Sequence, residues 1–306
     1  MKSFSALTKE ELYTTENNKR CCDSAELAGM LLFGGNISHN EIRLVTESSV
    51  VLYRCAELCR GLGIEGIIND TDTLRKYVVI KKKEDIDKIL NGFGLLKDNS
   101  GEIIYRIDSP FKDRECCRRA FIKGAFMGSG TVIDPNKTYN LEIITAQENL
   151  CRELSEILEE TGFSVKTVAR QSRFVIYTKQ SDTIADFLTY IGAFKAQMEL
   201  LNVKIEKGIR NDFNRTANIE AANIDKTITA SVRQLKAIEK IEAEIGIDSM
   251  PEELQELAKL RMEYRSISLS ELGKRLNPPL GKSGVNHRLN KIIGIADKLS
   301  ATEEVK

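Results

Sequence analysis

Histidine is almost missing from this chain: His39 and His287 are the only two. No Ser/His/Asp relay and no histidine-based metal centre can be assembled around them from the local sequence. No run of 18 or more apolar residues occurs, so no membrane-spanning helix is expected. Residues 1–15 carry two lysines and two glutamates without an apolar stretch, so no secretory signal is expected there. Net charge is lacking too, because 45 Lys and Arg balance 45 Asp and Glu. Any nucleic-acid site must therefore be a local excess of positive charge, not a bulk property. The C-x-x-C spacing is absent among the seven cysteines, an odd number that includes the adjacent pairs Cys21-Cys22 and Cys116-Cys117. This usage does not suggest a disulfide framework and points to a reduced, cytoplasmic setting. The two pairs supply four thiols, but neighbours on a helix point about 100° apart, a poor chelate. Half-buried cysteines at helix starts are expected, with no metal and no cofactor.

What is present is a chain of 306 residues, enough for two or three domains, and an internal repeat. RCCDSAELAGMLLFGGNI (residues 20–37) aligns with ECCRRAFIKGAFMGSGTV (residues 115–132) at an offset of 95. The cysteine pair, Ala25/Ala120, Gly29/Gly124 and Gly35/Gly130 coincide. Residues 42–64 match residues 141–163 at an offset of 99, and the four extra residues fall around 134–137, which reads as a longer hairpin loop. YVVIKKK (residues 77–83) parallels RFVIYTK (residues 173–179). Each half is predicted as helix, hairpin, helix, hairpin, helix, the first from about residue 20 to 109 and the second from 110 to about 201. Two such halves should pack about a pseudo-two-fold axis. Gly29 and Gly124 would let the opening helices touch backbone to backbone.

Residues 27–35 (LAGMLLFGG) and 122–130 (IKGAFMGSG) resemble the LAGLIDADG motif of homing endonucleases. In those enzymes the last acid of each motif holds a divalent metal over the scissile phosphates. By alignment it falls on Gly34 and Ser129, the degenerate catalytic positions, and neither supplies an anionic oxygen ligand for Mg²⁺. Asp23 and Asp134 do not occupy the needed place. The resemblance implies two sheets forming a saddle over a DNA major groove. Lys76, Lys81 and Lys83 are assigned to one strand region, and Lys166, Arg170, Arg173 and Lys179 to the matching hairpin, as phosphate contacts. Residues 1–206 hold 28 Lys and Arg against 30 Asp and Glu, which favours edge protection over strong duplex binding.

The polar segment 209–218 is expected to be an interdomain linker. A helix over 221–244 follows, with Ile228, Val232, Leu235, Ile238 and Ile241 on its apolar side. Gly246 closes it and Pro251 opens the next helix, whose core side carries Leu254, Leu257, Ala258 and Leu260. Residues 301–306 are expected to fray. Residues 268–298 then have the pattern of a helix-turn-helix reader. Ser268 and Glu271 form a capping box, Ile267 and Leu272 a hydrophobic staple, and Leu269, Leu272 and Leu276 an apolar side. Asn277-Pro278-Pro279 ends that helix. A second helix from Ser283 buries Val285, Leu289 and Ile292 and turns Ser283, His287, Asn290 and Lys291 outward, with Asn286 and Arg288 on the flanks. From 259 to 298 there are nine Lys and Arg against three Asp and Glu. Asn286, His287 and Asn290 are the candidate base readers, and Lys274, Arg275, Lys282, Arg288 and Lys291 the candidate phosphate contacts, beside Ser268, Ser270 and Ser283.

The degenerate LAGLIDADG pair followed by this module, with NDFNRTANIEAANIDKT (residues 211–227) and SISLSELGKRLNPPLGKSGVNHRLNKI (residues 266–292), resembles the WhiA family over nearly the whole chain. The expected fold class is α+β: a pseudo-two-fold αββαββα repeat, its halves at 1–109 and 110–206, followed by an all-α helix-turn-helix domain at 207–306. The resemblance implies a cytoplasmic, nucleoid-associated transcription factor linked to sporulation, cell division and chromosome segregation. It would be partnered by double-stranded DNA, act at no membrane and need no catalysis. Two alternatives stand beside it: a residual endonuclease, and an adaptor whose saddle docks a sigma factor or RNA polymerase. Supercoiled plasmid incubated with the protein and Mg²⁺ is expected to stay uncut. Reproducible nicking that a chelator abolishes would establish the nuclease instead.

Overall fold

The computed structural model describes residues 2–17, 19–70, 75–97 and 101–303. The chain divides into two compact units, Met1–Gly208 and Ile209–Lys306. The first is built on two helices, α2 (Arg20–Gly34) and α6 (Glu115–Ser129). Residues 27–33 of α2 and 120–127 of α6 are buried almost without a break, as expected of helices enclosed on all sides. A Cβ placed on Gly29 would lie 2.2 Å from the Phe121 carbonyl oxygen, and one on Gly124 2.0 Å from that of Glu26. The predicted backbone-to-backbone contact is therefore present, and it runs on to Gly34 against Gly128.

Each helix opens one copy of the repeat. The first copy continues through β1 (Gly35–Ile37), β2 (Ile42–Thr46), α3 (Ser49–Gly61), β3 (Ile67–Asn69), β4 (Lys76–Ile80) and α4 (Lys83–Gly92). The second contains β7 (Gly130–Val132), β8 (Leu141–Thr145), α7 (Glu148–Glu160), β9 (Lys166–Arg170), β10 (Arg173–Thr178) and α8 (Ser181–Ile191). Both sheets are antiparallel, in the orders β1-β2-β4-β3 and β7-β8-β10-β9. Leu44 pairs with Val78 in one and Ile143 with Ile176 in the other, all four facing the common core. The extra residues of the second hairpin form an Asx turn, with Asp134 Oδ1 accepting the Asn136 N–H at 2.8 Å. Lys83, assigned to a strand region from sequence, instead begins α4, whose first turn carries Glu84 and Asp85.

Three elements of this unit lie outside the repeat: α1 (Phe4–Tyr13), the hairpin of β5 (Leu96–Lys97) and β6 (Ile103–Ile104), and α5 (Ser109–Asp113). The carboxylate of Glu11 on α1 accepts the backbone N–H groups of Lys195 and Ala196 at 2.7 and 3.1 Å. It thereby caps the start of α9 (Phe194–Glu244), satisfying donors that a helix start leaves free.

The expected linker at 209–218 is corrected by α9, which is helical throughout its 51 residues. The segment is polar, but it has no proline, and polarity alone does not interrupt a helix. The second unit continues through a 3₁₀ turn (Ile247–Ser249), α10 (Glu252–Glu263), α11 (Leu269–Lys274) and α12 (Lys282–Glu303). Its core joins Ile238, Ile241, Leu254, Leu257, Leu272, Val285, Leu289 and Ile292. Ile228 and Val232 are exposed, contrary to the predicted stripe, and Ser231, Gln234 and Ala237 are buried in that part of α9 instead. Residues 301–303 belong to α12, while 304–306 of the expected frayed tail lie outside the described residues. No described helix is long and apolar enough to cross a membrane.

Gly29→Ala or Gly124→Ala is expected to cost about 3 kcal/mol or more in urea unfolding, because backbone rather than a movable side chain meets the new methyl. Gly208→Ala, whose Cβ meets nothing within 4 Å inside α9, is expected to add up to about 1 kcal/mol.

Candidate nucleic-acid interface

The start of α11 is fixed by the predicted capping box. Ser268 Oγ accepts the Glu271 N–H at 3.2 Å, and Glu271 Oε2 accepts the Ser268 N–H at 3.2 Å. Hydrogen bonds from the Ser268 backbone and hydroxyl hold the Glu271 carboxyl below the ordinary glutamate value. The turn into α12 folds tightly over α11: Leu280 N–H donates to the Gly273 carbonyl at 2.9 Å, and a Cβ on Gly273 would stand 2.1 Å from the Leu280 oxygen. The turn is long in sequence but closes because residue 273 has no side chain. The second helix begins at Lys282, one residue before the expected start.

Val285, Leu289 and Ile292 are buried, so α12 presents Ser283, Asn286, His287, Asn290 and Lys291 to solvent. Lys282 is exposed at its first residue, and Ser268, Ser270, Lys274 and Arg275 are exposed around α11. Arg275 stacks over the Tyr264 ring at 4.6 Å and donates to the Glu271 carbonyl at 3.3 Å, so its guanidinium is held by its own unit. Arg288 is half-buried and turned toward α10, with its guanidinium 3.1 Å from a Glu253 carboxylate oxygen and its other terminal nitrogen 3.4 Å from the Glu253 carbonyl. Lys291 stands 4.0 Å from the same carboxylate. Sequence reasoning did not single out Lys226 and Thr227 of α9. They share a cleft of about 210 Å³ with Ser268, Lys282 and Asn286. Their signal lay at the end of the segment 211–227, ahead of the expected reader.

The degenerate positions lie at the far ends of the paired helices. Gly34 ends α2, and a Cβ there would be 2.7 Å from the Gly128 oxygen. Ser129 ends α6, half-buried, and its hydroxyl has no hydrogen-bond partner among the described residues. Asp23 sits in the first turn of α2, where Asn17 donates to it at 3.0 Å. One carboxylate does lie between the helices, that of Glu26, but Arg54 (2.7 and 2.8 Å), Lys123 (3.2 Å) and Asn17 (2.6 Å) already occupy it. Burial holds the Lys123 ammonium below the ordinary lysine value against the pull of Glu26.

In and beside the two sheets, Lys76 pairs with Asp70 at 2.5 Å, Lys81 with Glu41 at 3.9 Å and Arg170 with Glu142 at 3.2 Å. Lys83, Lys166, Arg173 and Lys179 are exposed. The cysteine pairs, a poor chelate when each is taken alone, converge across α2 and α6. The four sulfurs lie within 4.8 Å of one another.

Comparison with known proteins covers both units. The family model of the WhiA LAGLIDADG-like domain matches residues 24–100 and 118–210, and that of the WhiA C-terminal HTH domain matches residues 213–296. The chain is 37% identical over 310 residues to the probable cell division protein WhiA of Alkaliphilus metalliredigens, covering 97% of this chain and 98% of that one. It is 40% identical over 312 residues to the protein of the same description from Alkaliphilus oremlandii, with 97% and 98% covered. The crystal structure of full-length DUF199/WhiA from Thermatoga maritima superposes with a TM-score of 0.60 at 25% identity, covering 97% of this chain and 99% of that one.

Ser268→Ala is expected to lower the stability of the second unit by about 1 kcal/mol, read from amide hydrogen exchange in α11. The Glu271 part of the cap has a depressed folded pKa. Its contribution is therefore present above the ordinary glutamate range and lost as pH falls through the folded value.

Proposed function

This chain belongs to the WhiA family, and on that premise we propose that it is a sequence-specific DNA-binding regulator of transcription that cuts nothing. The observation that carries the reading is the division of α12 into a buried face and an exposed one. Val285, Leu289 and Ile292 fix the helix to its core, and Asn286, His287 and Asn290 stand on the free side with amide and imidazole groups suited to base edges. Lys282, Lys274 and Lys291 hold phosphates around them, and Lys226 and Thr227 extend that surface. Arg275 and Arg288 contribute less, because Tyr264 and Glu253 engage them, Arg288 at 3.1 Å and half-buried, whereas Lys291 is exposed and 4.0 Å from the same carboxylate.

The absence of carboxylates at Gly34 and Ser129 supports a non-catalytic role for the halves at 1–109 and 110–206. The description of relatives as probable cell division proteins supports action in cell division, and the family resemblance extends this to chromosome segregation and sporulation. In this reading the protein is cytoplasmic and associated with the nucleoid, and the helical domain at 207–306 makes the base contacts. The internally paired cations Lys76, Lys81 and Arg170 favour a saddle that docks a protein, such as a sigma factor or RNA polymerase, over one that grips duplex.

Fluorescence anisotropy against duplexes found by genomic footprinting tests the assignment. Lys282→Ala and Lys291→Ala are expected to weaken binding to all sequences and to lower the salt slope by about one each. Arg288→Ala is expected to change the slope less. Asn290→Ala is expected to relax preference at one base position by about 1–3 kcal/mol while leaving nonspecific affinity in place. An unchanged slope in the lysine variants would overturn the phosphate role, and unchanged base preference in Asn290→Ala would overturn the reading face.

A further inference from the structure

Cys21 and Cys22 are the second and third residues of α2, and Cys116 and Cys117 hold the same places on α6. The helices run parallel. The backbone contacts pair residue 26 with 124 and residue 30 with 128, so the two first turns lie side by side. On one helix, adjacent cysteines diverge by about 100° and leave an ion half enclosed. Two such pairs related by the internal repeat close around a common point. Cys22 meets Cys116 and Cys21 meets Cys117, and all four sulfur atoms fall within 4.8 Å of one another.

We propose that these four cysteines form a tetrathiolate site for a single zinc ion, which ties the two halves of the repeat together at the N-terminal ends of their central helices. Tetrahedral Zn²⁺ with sulfur at about 2.3 Å places its four sulfurs about 3.8 Å apart. The four sulfurs, none more than 4.8 Å from another, exceed this by at most about 1 Å, a gap that rotation of the cysteine side chains would close. A polynuclear iron–sulfur cluster would need its ligands spread around several atoms, and these sulfurs are too close together for that. Soft thiolates in a four-sulfur set select zinc over the hard cations that carboxylates bind. Binding converts four thiols and one Zn²⁺ into a tetrathiolate of net charge minus two and releases four protons.

Among the described residues neither helix has a side-chain cap at its start, where Lys19 and Arg114 stand, so the positive helix ends lie beside the cysteines, with Asp23 and Glu115 in the same first turns. Lys19, Arg119 and Lys123, with Glu16 and Glu115, line the cavity of about 440 Å³ that reaches Cys22 and Cys116. Cys117 and Cys22 are buried, whereas Cys116 is exposed and gives an ion a way in. Cys55, Cys59 and Cys151 are buried elsewhere and serve as internal controls.

The full chain, purified under reducing conditions without a metal-affinity column, is expected to contain about one zinc by elemental mass spectrometry. A mercurial thiol reagent should release that ion. Cobalt titrated into zinc-stripped protein is expected to give the intense visible bands and sulfur-to-metal charge transfer of a tetrahedral tetrathiolate. Cys116→Ser and Cys22→Ser should lose both the zinc and the cobalt spectrum, while Cys151→Ser keeps them. Chelator should lower the melting temperature of the parent but not of Cys116→Ser. A reduced, folded parent that holds no zinc and gives no tetrahedral cobalt spectrum would overturn the proposal, and this reading does not depend on how any variant folds. Iron with acid-labile sulfide, disulfides joining Cys22 to Cys116 or Cys21 to Cys117, or zinc retained in Cys116→Ser would each overturn it as well.

Discussion

The backbone-to-backbone contact of α2 and α6 sets the terms for the whole N-terminal unit. Four glycines, Gly29, Gly34, Gly124 and Gly128, let the helix axes approach until carbonyl oxygens lie where Cβ atoms would otherwise stand. Interiors packed to crystal-like density do not absorb an added methyl against backbone. With the axes so close, the sheets of both copies are brought to one shared core, and the aromatic contacts Phe33 with Phe121 and Phe111 with Phe121 fill the space beside the helices. The same closeness accounts for Glu26. Its carboxylate is fully buried and is matched by Arg54 from α3 and Lys123 from α6. Lys123 also donates to the Thr15 carbonyl. A buried charge set of this kind stabilises little in total, but removal of one partner strands the others at a cost of about 3–5 kcal/mol. It therefore holds three helices in one arrangement.

That contact also bears on chemistry. A carboxylate at position 34 needs a Cβ, and that atom would lie 2.7 Å from the Gly128 carbonyl oxygen. The helices have closed over the place where a metal-binding acid would stand. Ser129 on the other helix offers one neutral hydroxyl, which cannot balance the charge of a divalent ion near phosphate. An acid side chain at position 34 would therefore need a change in helix spacing. Glu26, an acid buried between the helices, lies eight residues from Gly34 and is paired with Arg54 and Lys123.

Much of this was legible in sequence, because close helix contact admits only glycine and the repeat kept its order of elements. The longer second hairpin was also legible, from the difference between the two alignment offsets. What escaped were contacts made across the fold. Glu11 capping α9 joins residues 184 apart, and no local pattern announces it. The segment 209–218 looked like a linker because it is polar, although nothing in it stops a helix. The cysteine pairs looked like poor ligands because the angular argument was applied within each helix, whereas the repeat sets the two pairs against each other. At the candidate interface the capping box, the buried stripe and the exposed face were all local. The place of Arg288 was not local, because Glu253 lies on a different helix.

The local excess of positive charge in the second unit is a poorer guide to binding than its count suggests. Among the nine basic residues from 259 to 298, Arg261 is buried and donates to the Ile267 carbonyl at 2.8 Å, which fixes the approach to α11. Arg265 pairs with Glu239 and Lys259 with Asp248, while Arg275 lies on Tyr264 and Arg288 on Glu253. These charges hold helices together or are screened in place, and they release few counterions when phosphate arrives. Lys274, Lys282 and Lys291 are exposed around the polar face, with Lys291 4.0 Å from the Glu253 carboxylate. A reader with few outward cations gains little from nonspecific phosphate contacts, so in the proposed reading Asn286, His287 and Asn290 would supply a larger share of the affinity for the correct site. In that reading the arrangement would favour discrimination between sequences over residence on any of them.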